Sequence, residues 1–191
     1  PTHLHLPFGV RLERARDTRR MLRDGIRLVV DRVEAIDLGR RAVGTARSER
    51  LPYDVLVIAT GSRLDKRSLP GFRDAAFNFH CHNSAERLRA RLEDFAGGDV
   101  VLGAASETYR CPYAAPEFAL LLDGWLRARK LRPKSRLHVL LPEPLAATLG
   151  PLGTALERRL AEADVRVCAP WAVASVDARA RLVRGADGSE Q

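Results

Sequence analysis

A cysteine between an arginine and a proline is the side chain of this sequence best suited to nucleophilic chemistry. Cys111 lies in the segment 103–116, between an apolar run at 99–102 that predicts a buried strand and a helix predicted to begin near Pro116. Arg110 adjoins the thiol. A thiol just ahead of a helix N-terminus and beside a cation is favoured as the thiolate, the nucleophilic form of sulfur. Cys111 is therefore a candidate for a reactive sulfur, and an unreactive loop cysteine is the alternative.

Cys81 stands between two histidines, just ahead of a predicted helix whose capping box would be Asn83 and Glu86. The His80-Cys81-His82 triplet is a candidate for metal binding. Adjacent residues of an extended chain point to opposite sides, however, and no second cluster supplies further ligands. We therefore predict no metal site. The histidines are interpreted as exposed loop residues, with the tuning of a thiol or proton donation as the alternative.

The third cysteine has a different setting. Three cysteines in 191 residues do not make a disulfide framework, and no pair of them has the spacing of a zinc site. Cys168 belongs to the apolar run 165–169 on a predicted strand, where a free cysteine behaves as a small hydrophobic residue. We therefore interpret Cys168 as structural.

The elements that would position a reactive thiol are those of an α/β protein. Residues 55–59 (Val-Leu-Val-Ile-Ala) form an apolar run without polar alternation, as expected for a strand buried on both faces of a parallel sheet. Thr60 and Gly61 follow at its carboxyl end, where an open α/β sheet places its ligand and where a glycine lets the backbone approach a phosphate or ribose. The pattern predicts a dinucleotide site.

A supersecondary unit occurs twice in the chain with the same order of elements and the same turn chemistry. Each copy is an apolar strand followed by a hairpin, at 25–30, 33–37 and 41–43 in the first copy and at 164–168, 173–177 and 181–183 in the second. Such self-similarity indicates duplicated domains. The first copy runs on into the apolar run at 55–59. The second is expected to stop at the turn signal of Asp187-Gly188, without a return strand.

Residues 53–61 (Tyr-Asp-Val-Leu-Val-Ile-Ala-Thr-Gly) resemble the second flavin motif of the FAD-dependent pyridine nucleotide-disulfide oxidoreductase superfamily. The resemblance implies FAD as the cofactor, with Ala59, Thr60 and Gly61 lining the flavin and the backbone near Val33 against its adenine. It also implies an α/β fold of two Rossmann-like dinucleotide-binding-type domains. Each would have three layers, built from a parallel sheet with a β-hairpin or meander, and the second would be nested in the first.

Neither end of that fold is expected to be complete in this sequence. No strand–Gly-x-Gly-x-x-Gly–helix unit, which would hold the flavin pyrophosphate, precedes Leu51. The chain is therefore interpreted as an internal fragment, truncated at both ends. On this interpretation, residues 1–71 are a partial FAD-binding domain without its first βαβ unit. Residues 72–191 are a second, NAD(P)-type domain without its C-terminal strand.

Around Cys111 the resemblance narrows to sulfide:quinone oxidoreductases and flavocytochrome c sulfide dehydrogenases. Residues 111–113 (Cys-Pro-Tyr) and 116–118 (Pro-Glu-Phe) are similar to their Arg/Lys-Cys-Pro-Pro segment and the helix after it, although Tyr113 departs from the second proline. The resemblance implies that Cys111 is a redox residue beside the flavin, working with a cysteine beyond residue 191. It implies that Cys81 corresponds to a redox-assisting or non-essential cysteine. Sulfide or a related sulfur compound would be the electron donor, and a quinone the acceptor.

The connection after the strand at 99–102 separates this interpretation from its alternatives. A domain that held NADH would have a tight glycine-rich turn there, whereas only Gly103 follows and Glu117 lies fourteen positions further on. Type II NADH dehydrogenases and ferredoxin reductases share the superfamily fold and form the second enzyme hypothesis. A flavin-free interaction or regulatory module is the hypothesis of another class.

Composition argues against several other functions. The net charge is +8, but the arginines are scattered and only 6% of the residues are aromatic, so nucleic-acid binding is not predicted. The sequence contains no run of eighteen apolar residues and no signal-peptide pattern. We expect a cytoplasmic protein. Peripheral association with the inner membrane surface, through parts outside this chain, and the formation of a homo-oligomer stay open.

Overall fold

The computed structural model describes residues 4–10, 19, 22–47, 49–61, 64–104 and 111–191. The chain divides into two compact units, one made of residues 65–191 with the segment 1–12, and the other of residues 13–64. We name the larger one the sheet unit and the smaller one the hairpin unit. The assignment of domains to residues 1–71 and 72–191 stays a prediction.

The hairpin unit contains three antiparallel strands in the order β1-β2-β3, which are β1 (Val33–Asp37), β2 (Ala42–Thr45) and β3 (Arg50–Pro52). Asp37 stabilises the turn between β1 and β2, because its carboxylate accepts a hydrogen bond from the backbone N–H of Arg40 at 2.9 Å. The register shifts between Val33 and Ala35, as at a β-bulge. The first predicted hairpin is therefore confirmed.

Two other strands that the sequence predicts in this unit are not formed. Neither residues 26–30 nor residues 55–59 are in a strand, and Val55, Val57 and Ile58 are 83%, 81% and 65% exposed. A buried strand needs a neighbour for its backbone hydrogen bonds and a layer on each face for its apolar side chains. Among the described residues no strand pairs with either segment. The prediction of a strand buried on both faces at 55–59 is therefore wrong for this structure.

The sheet unit is built on a three-stranded parallel sheet in the order β4-β5-β6. Its strands are β4 (Gly98–Gly103), β5 (Ser135–Leu140) and β6 (Val165–Cys168). The strand predicted at 99–102 is confirmed as β4, and the one predicted at 164–168 is confirmed as β6. A mixed α/β fold with a parallel sheet is thus confirmed. The nesting of two Rossmann-like domains stays a prediction.

The helices of the sheet unit are α1 (Phe72–Ala75), α2 (His82–Glu93), α3 (Ala114–Ala128), α4 (Leu145–Leu149) and α5 (Pro151–Glu162). α3 connects β4 to β5, and α4 and α5 connect β5 to β6, as in consecutive βαβ units. Helices and sheet share a buried core that includes Phe118, Leu122, Leu137, Val139 and Leu160. No helix within the described ranges combines the length and apolar character needed to cross a membrane.

The second hairpin repeats the pairing of the first. Its strands are β7 (Val173–Asp177) and β8 (Leu182–Gly185). Val173 pairs with Gly185 as Val33 pairs with Thr45, at an offset of 140 residues, and the register shifts at the equivalent position. The duplicated hairpin predicted from the sequence is therefore confirmed at the level of strand register.

The chain beyond β8 turns back and begins to pair with it. A β-bridge joins Arg184 to Glu190. The backbone N–H of Gln191 donates to the carbonyl of Val183 at 2.9 Å, and its carbonyl accepts from the same residue at 2.8 Å. In the first copy, Val43 and Gly44 pair with Leu51 and Arg50 in the same register, and this pairing forms β3. Only this bridge is formed, and no strand follows β8 among the described residues, so the expectation that the second copy lacks a return strand stays a prediction.

The second hairpin packs on the face of the parallel sheet opposite the helices. The pairing places Gly103, Leu140 and Cys168 on this face. A Cβ placed on Gly103 would lie 3.2 Å from Cγ2 of Val173 and 3.6 Å from Cβ of Leu140. The absent side chain at Gly103 therefore lets the hairpin lie close to the sheet, and the sheet unit has three layers.

A buried arginine ties the end of α3 to two other elements. Arg132 lies in a short 3₁₀ turn after α3 and is only 8% exposed. Its guanidinium donates hydrogen bonds of 2.7–2.8 Å to the carboxylate of Asp123 and to the backbone carbonyls of Ser135, Ala163 and Asp164. Arg132 thereby joins the start of β5 and the end of α5 to α3. Asp123 accepts a second hydrogen bond, from Arg127 at 2.8 Å.

Candidate functional site

The connection from β4 to α3 carries the thiol that the sequence predicts to be reactive. Cys111 is a free, partly buried cysteine three residues ahead of α3. Its carbonyl accepts a hydrogen bond from the N–H of Ala114, the first helical residue, at 3.2 Å. The helix thus begins two residues before Pro116, because this turn leads directly into it. Residues 105–110 lie outside the described ranges, so the proximity of Arg110 to the thiol stays a prediction.

Cys111 occupies the edge of the sheet where α/β proteins bind ligands. β4 ends at Gly103, and residues 104–113 connect it to α3. All three strands run parallel, so their carboxyl ends lie on one edge of the sheet. Ligands of open α/β sheets bind in the crevice outside these carboxyl ends. The fold therefore places the thiol ahead of a helix N-terminus, on the ligand-binding edge.

Cys81 lies at the N-terminus of a different helix, α2. It is a free, partly buried cysteine at the N-cap of α2, and its carbonyl accepts a hydrogen bond from the N–H of Ala85 at 2.9 Å. The predicted capping box of Asn83 and Glu86 is wrong. The helix starts at His82, which puts both residues inside it, and no side chain makes a capping hydrogen bond.

Stacked aromatic rings bring the segments of the two cysteines together. The rings of Phe79 and Phe118 lie 4.6 Å apart with their planes at 6°, and the ring of Phe8 lies 5.0 Å from Phe118 on the N-terminal segment. Phe79 lies two residues before Cys81, and Phe118 lies one turn into the helix that follows Cys111. The chain segments that carry the two predicted catalytic cysteines thus meet at one aromatic cluster. Both thiols are free.

Cys168 is the last residue of β6, so it too lies at the carboxyl edge of the sheet. It pairs with Leu140 on the face that carries the second hairpin, and it is partly buried. Leu140 itself is fully buried. Its position suits a small residue that packs between the sheet and the second hairpin. The predicted nucleophile, Cys111, instead follows the carboxyl end of β4.

Sequence reasoning did not single out His138, a partly buried titratable residue. His138 lies in the central strand β5, and its Nδ1 is buried without a hydrogen-bond partner among the described atoms. Burial lowers the pKa of His138 and outweighs the opposite effect of Asp99. The alternation Arg136-Leu137-His138 is the one sequence signal for its position, since it puts a polar residue on the face away from the helices.

Among the described residues, no group of three or more His, Cys, Asp or Glu side chains could hold a metal ion. The three nearest candidates by sequence, His80, Cys81 and His82, are therefore not gathered with a further ligand. The expectation that the protein binds no metal stays a prediction.

The residues predicted to hold FAD belong to the hairpin unit. Val33 begins β1 and is 54% exposed. Ala59, Thr60 and Gly61 are exposed and follow no strand. Gly61 has a φ of 70°, and a Cβ placed on it would meet nothing within 4 Å. The backbone of this segment is therefore accessible, and among the described residues no enclosed cradle forms around it, so the flavin contacts stay a prediction.

We expect the 191-residue chain not to retain FAD through purification. The predicted contact residues at 59–61 are exposed on a segment without a strand, and a dinucleotide is held mainly where a glycine-rich turn meets its pyrophosphate. The absorption spectrum of the purified chain, and the flavin released from it by acid, measure this directly. Recovery of one flavin per chain would contradict the expectation.

Two curated relatives share parts of the sequence. A sulfide-quinone reductase of Aquifex aeolicus is 30% identical over 138 residues, which cover 72% of this chain and 32% of the relative. An NADH dehydrogenase-like protein of Mycobacterium tuberculosis is 37% identical over 82 residues, which cover 43% of this chain and 20% of the relative. The chain thus spans between a fifth and a third of the length of these relatives. No protein-family model matches it.

A solved structure matches the chain over its whole length. The crystal structure of the sulfide:quinone oxidoreductase from Aquifex aeolicus superposes on 100% of this chain with a TM-score of 0.75 and 24% sequence identity. The chain covers 46% of that protein. The two chains therefore share a fold.

Proposed function

Because the chain belongs to the FAD-dependent pyridine nucleotide-disulfide oxidoreductase superfamily, we propose that it is part of an FAD-dependent oxidoreductase of the sulfide:quinone type. The enzyme oxidises sulfide, or a related small sulfur compound, through a redox cysteine of this chain. The electrons then pass via FAD to a quinone.

One observation carries the proposal, namely the connection between β4 and α3. A nicotinamide-binding domain needs a tight glycine turn there, so that backbone N–H groups at the helix start meet the pyrophosphate. In this chain residues 104–113 intervene, and they hold a free thiol three residues from the helix. The connection after β4 therefore holds a free thiol at the position where a dinucleotide-binding domain binds the pyrophosphate.

Cys111 acts as the sulfur that receives the substrate. In the oxidised enzyme it forms a disulfide with a cysteine outside residues 1–191. Hydrosulfide attacks the Cys111 sulfur, the S–S bond breaks, and Cys111 becomes a persulfide while the partner cysteine leaves as a thiolate carrying the electron pair. Cys81, at the N-cap of the neighbouring helix α2, assists this redox chemistry without being essential to it.

The flavin contacts lie in the hairpin unit, at Val33 and at Ala59, Thr60 and Gly61. The accessible backbone there and the open space at Gly61 are compatible with a nucleotide. FAD, when bound, supplies the two-electron redox chemistry that the side chains of the protein lack. The protein contributes the position and the reactivity of its cysteines.

The partners that follow from this chemistry are a small sulfur nucleophile and a quinone. A quinone is apolar and resides in the bilayer, so peripheral association with the inner membrane surface is part of the proposal. It is assigned to regions outside this chain, as is any contact that would form a homo-oligomer.

A second candidate is an NADH dehydrogenase-like flavoenzyme. The observation that favours it is the 37% identity to the relative from Mycobacterium tuberculosis, although the match covers 43% of this chain. In that case NADH, and not sulfide, would reduce the flavin.

The identity of the electron donor decides between the two. We expect sulfide to bleach the flavin of the complete protein far faster than NADH does, because the loop after β4 lacks the turn that binds pyrophosphate. Stopped-flow absorbance of the flavin with each donor in turn measures both rates. Fast bleaching by NADH, with slow bleaching by sulfide, would replace the proposed function by the second candidate.

A further inference from the structure

The N-terminal segment, residues 4–9, belongs to the sheet unit, although residues 13–64 form the hairpin unit. Leu4 and Leu6 are 1% and 3% exposed, and Leu4 is part of the core that the helices and the sheet share. A 3₁₀ turn covers Leu6–Phe8, and Gly9 ends it in the left-handed conformation, with a φ of 87°. The segment is therefore a packed part of the sheet unit.

This segment contacts both helices that follow a predicted catalytic cysteine. Among the described elements, the 3₁₀ turn is the one against which α2 packs most extensively. On α3, the ring of Phe8 lies 5.0 Å from the ring of Phe118 and 6.5 Å from that of Trp125. Phe118 and Trp125 lie about two turns apart, on one face of α3. The ring of Phe8 thus packs along the first part of that helix.

Phe118 connects this packing to the thiol of Cys111. The carbonyl of Cys111 accepts from the N–H of Ala114, the first residue of α3, at 3.2 Å, so the turn that starts the helix carries the thiol. Phe118 lies one turn further on and is 1% exposed, with the rings of Phe8 and Phe79 against it. A turn of α-helix is rigid because backbone hydrogen bonds close it. The placement of the Phe118 ring therefore sets the placement of the turn that carries the thiol.

We propose that Phe8 is a positioning residue for Cys111, acting through Phe118. Its ring holds the start of α3, and thereby holds the Cys111 thiol in its partly buried place at the carboxyl edge of the sheet. Without the ring, the connection before α3 opens, and the thiol becomes more accessible but is no longer held where it reacts. The inference rests on the proposed role of Cys111 as the sulfur that receives the substrate.

The first test measures the thiol without the reaction. Wild type and Phe8→Ala of the 191-residue chain are treated with iodoacetamide, and the alkylation of each cysteine is followed by mass spectrometry. We expect Cys111 to be alkylated about fivefold faster in the variant, because an aromatic pair shifts an equilibrium by about two- to tenfold beyond its burial. Cys168, at the end of β6, should keep its rate. No flavin or sulfide is needed, so this result stands whether or not the proposed function does.

The second test uses the complete flavoprotein. Phe8→Ala should slow bleaching of the flavin at saturating sulfide by about tenfold or more, because a misplacement of about 1 Å can cost on the order of a hundredfold in rate. Faster alkylation together with slower bleaching identifies a misplaced thiol, since a thiol that was merely more accessible would react faster in both measurements. If sulfide does not bleach the wild-type flavin, the proposed function fails, and alkylation alone decides the role of Phe8.

Two further variants are matched controls. Phe8→Tyr keeps the ring and should restore both wild-type rates, whereas Val10→Ala shortens a side chain of the same region that is 52% exposed and should change neither. Equal acceleration of alkylation at Cys111 and Cys168 in Phe8→Ala would show that the ring only stabilises the fold. Unchanged alkylation of Cys111 would show that the ring does not hold the start of α3. Either result would overturn the proposal.

Discussion

Replacing Cys111 by serine in the complete flavoprotein is expected to abolish reduction of the flavin by sulfide. A serine hydroxyl is a far weaker nucleophile than a thiolate and forms no disulfide, so the bond that sulfide must attack is absent. Removal of a catalytic nucleophile lowers rates by about three orders of magnitude or more. Folding and flavin content should be unchanged, because Cys111 lies in a connection and outside the buried core. The measurement is the rate of flavin bleaching by sulfide in stopped flow.

The other cysteines supply matched controls. Cys168→Ser puts a hydroxyl into β6 without an assured partner, so it should lower the free energy of unfolding by about 1–3 kcal/mol and leave the folded enzyme active. Cys81→Ser should lower the bleaching rate much less than the change at Cys111. If the Cys111 variant were reduced by sulfide at the wild-type rate, the sulfide-oxidising assignment would lose its chemical basis.

Arg132→Ala is expected to lower the free energy of unfolding by about 3–5 kcal/mol, the range observed when one partner of a buried ion pair is removed. The side chain is buried, and it holds the carboxylate of Asp123 together with three backbone carbonyls. Its loss leaves three backbone carbonyls without this buried donor, and Asp123 keeps only the hydrogen bond from the exposed Arg127. Equilibrium unfolding in urea, followed by far-ultraviolet circular dichroism, measures the change.

Arg127→Ala is the matched control, since Arg127 donates to the same carboxylate at 2.8 Å but its side chain is 57% exposed. An exposed partner of this kind contributes at most about 1 kcal/mol. Equal destabilisation by the two changes would show that the buried network is not what stabilises this corner of the fold.

The same carboxylate makes part of the stability depend on pH. Burial alone would raise the pKa of Asp123, but its hydrogen bonds with Arg127 and Arg132 outweigh burial and hold the pKa below its ordinary value. A carboxyl group with a depressed pKa in the folded state stabilises the fold above about pH 4 and loses that contribution as the pH falls through the depressed value. The difference in stability between wild type and Arg132→Ala should therefore shrink as the pH is lowered from about 5 to about 2.

The sequence predicts a strand or helix correctly where the residues that pair with it or pack on it are close to it in the chain. The duplicated hairpin follows from alternating apolar residues around an Asp-containing turn, and both copies form with one register. The strand ahead of Cys111 and the helix after it are likewise present, the helix starting two residues early. The capping box predicted at α2 is not formed, because the helix starts at His82 and both Asn83 and Glu86 lie inside it.

The sequence by itself determined the two hairpins, the apolar runs that are candidates for strands, and the position of a thiol between such a run and a helix. Only the tertiary structure decided which apolar runs become strands. Val165–Cys168 pairs with β5 and forms a strand, whereas the run at 55–59 stays exposed without a partner. It also decided that Phe79 stacks on Phe118 between the cysteine segments, and that Arg132 is buried among distant carbonyls. The reason is physical. An apolar side chain favours burial wherever it lies, but the strand that pairs with its backbone and the layers that bury its side chain come from residues far away in the sequence.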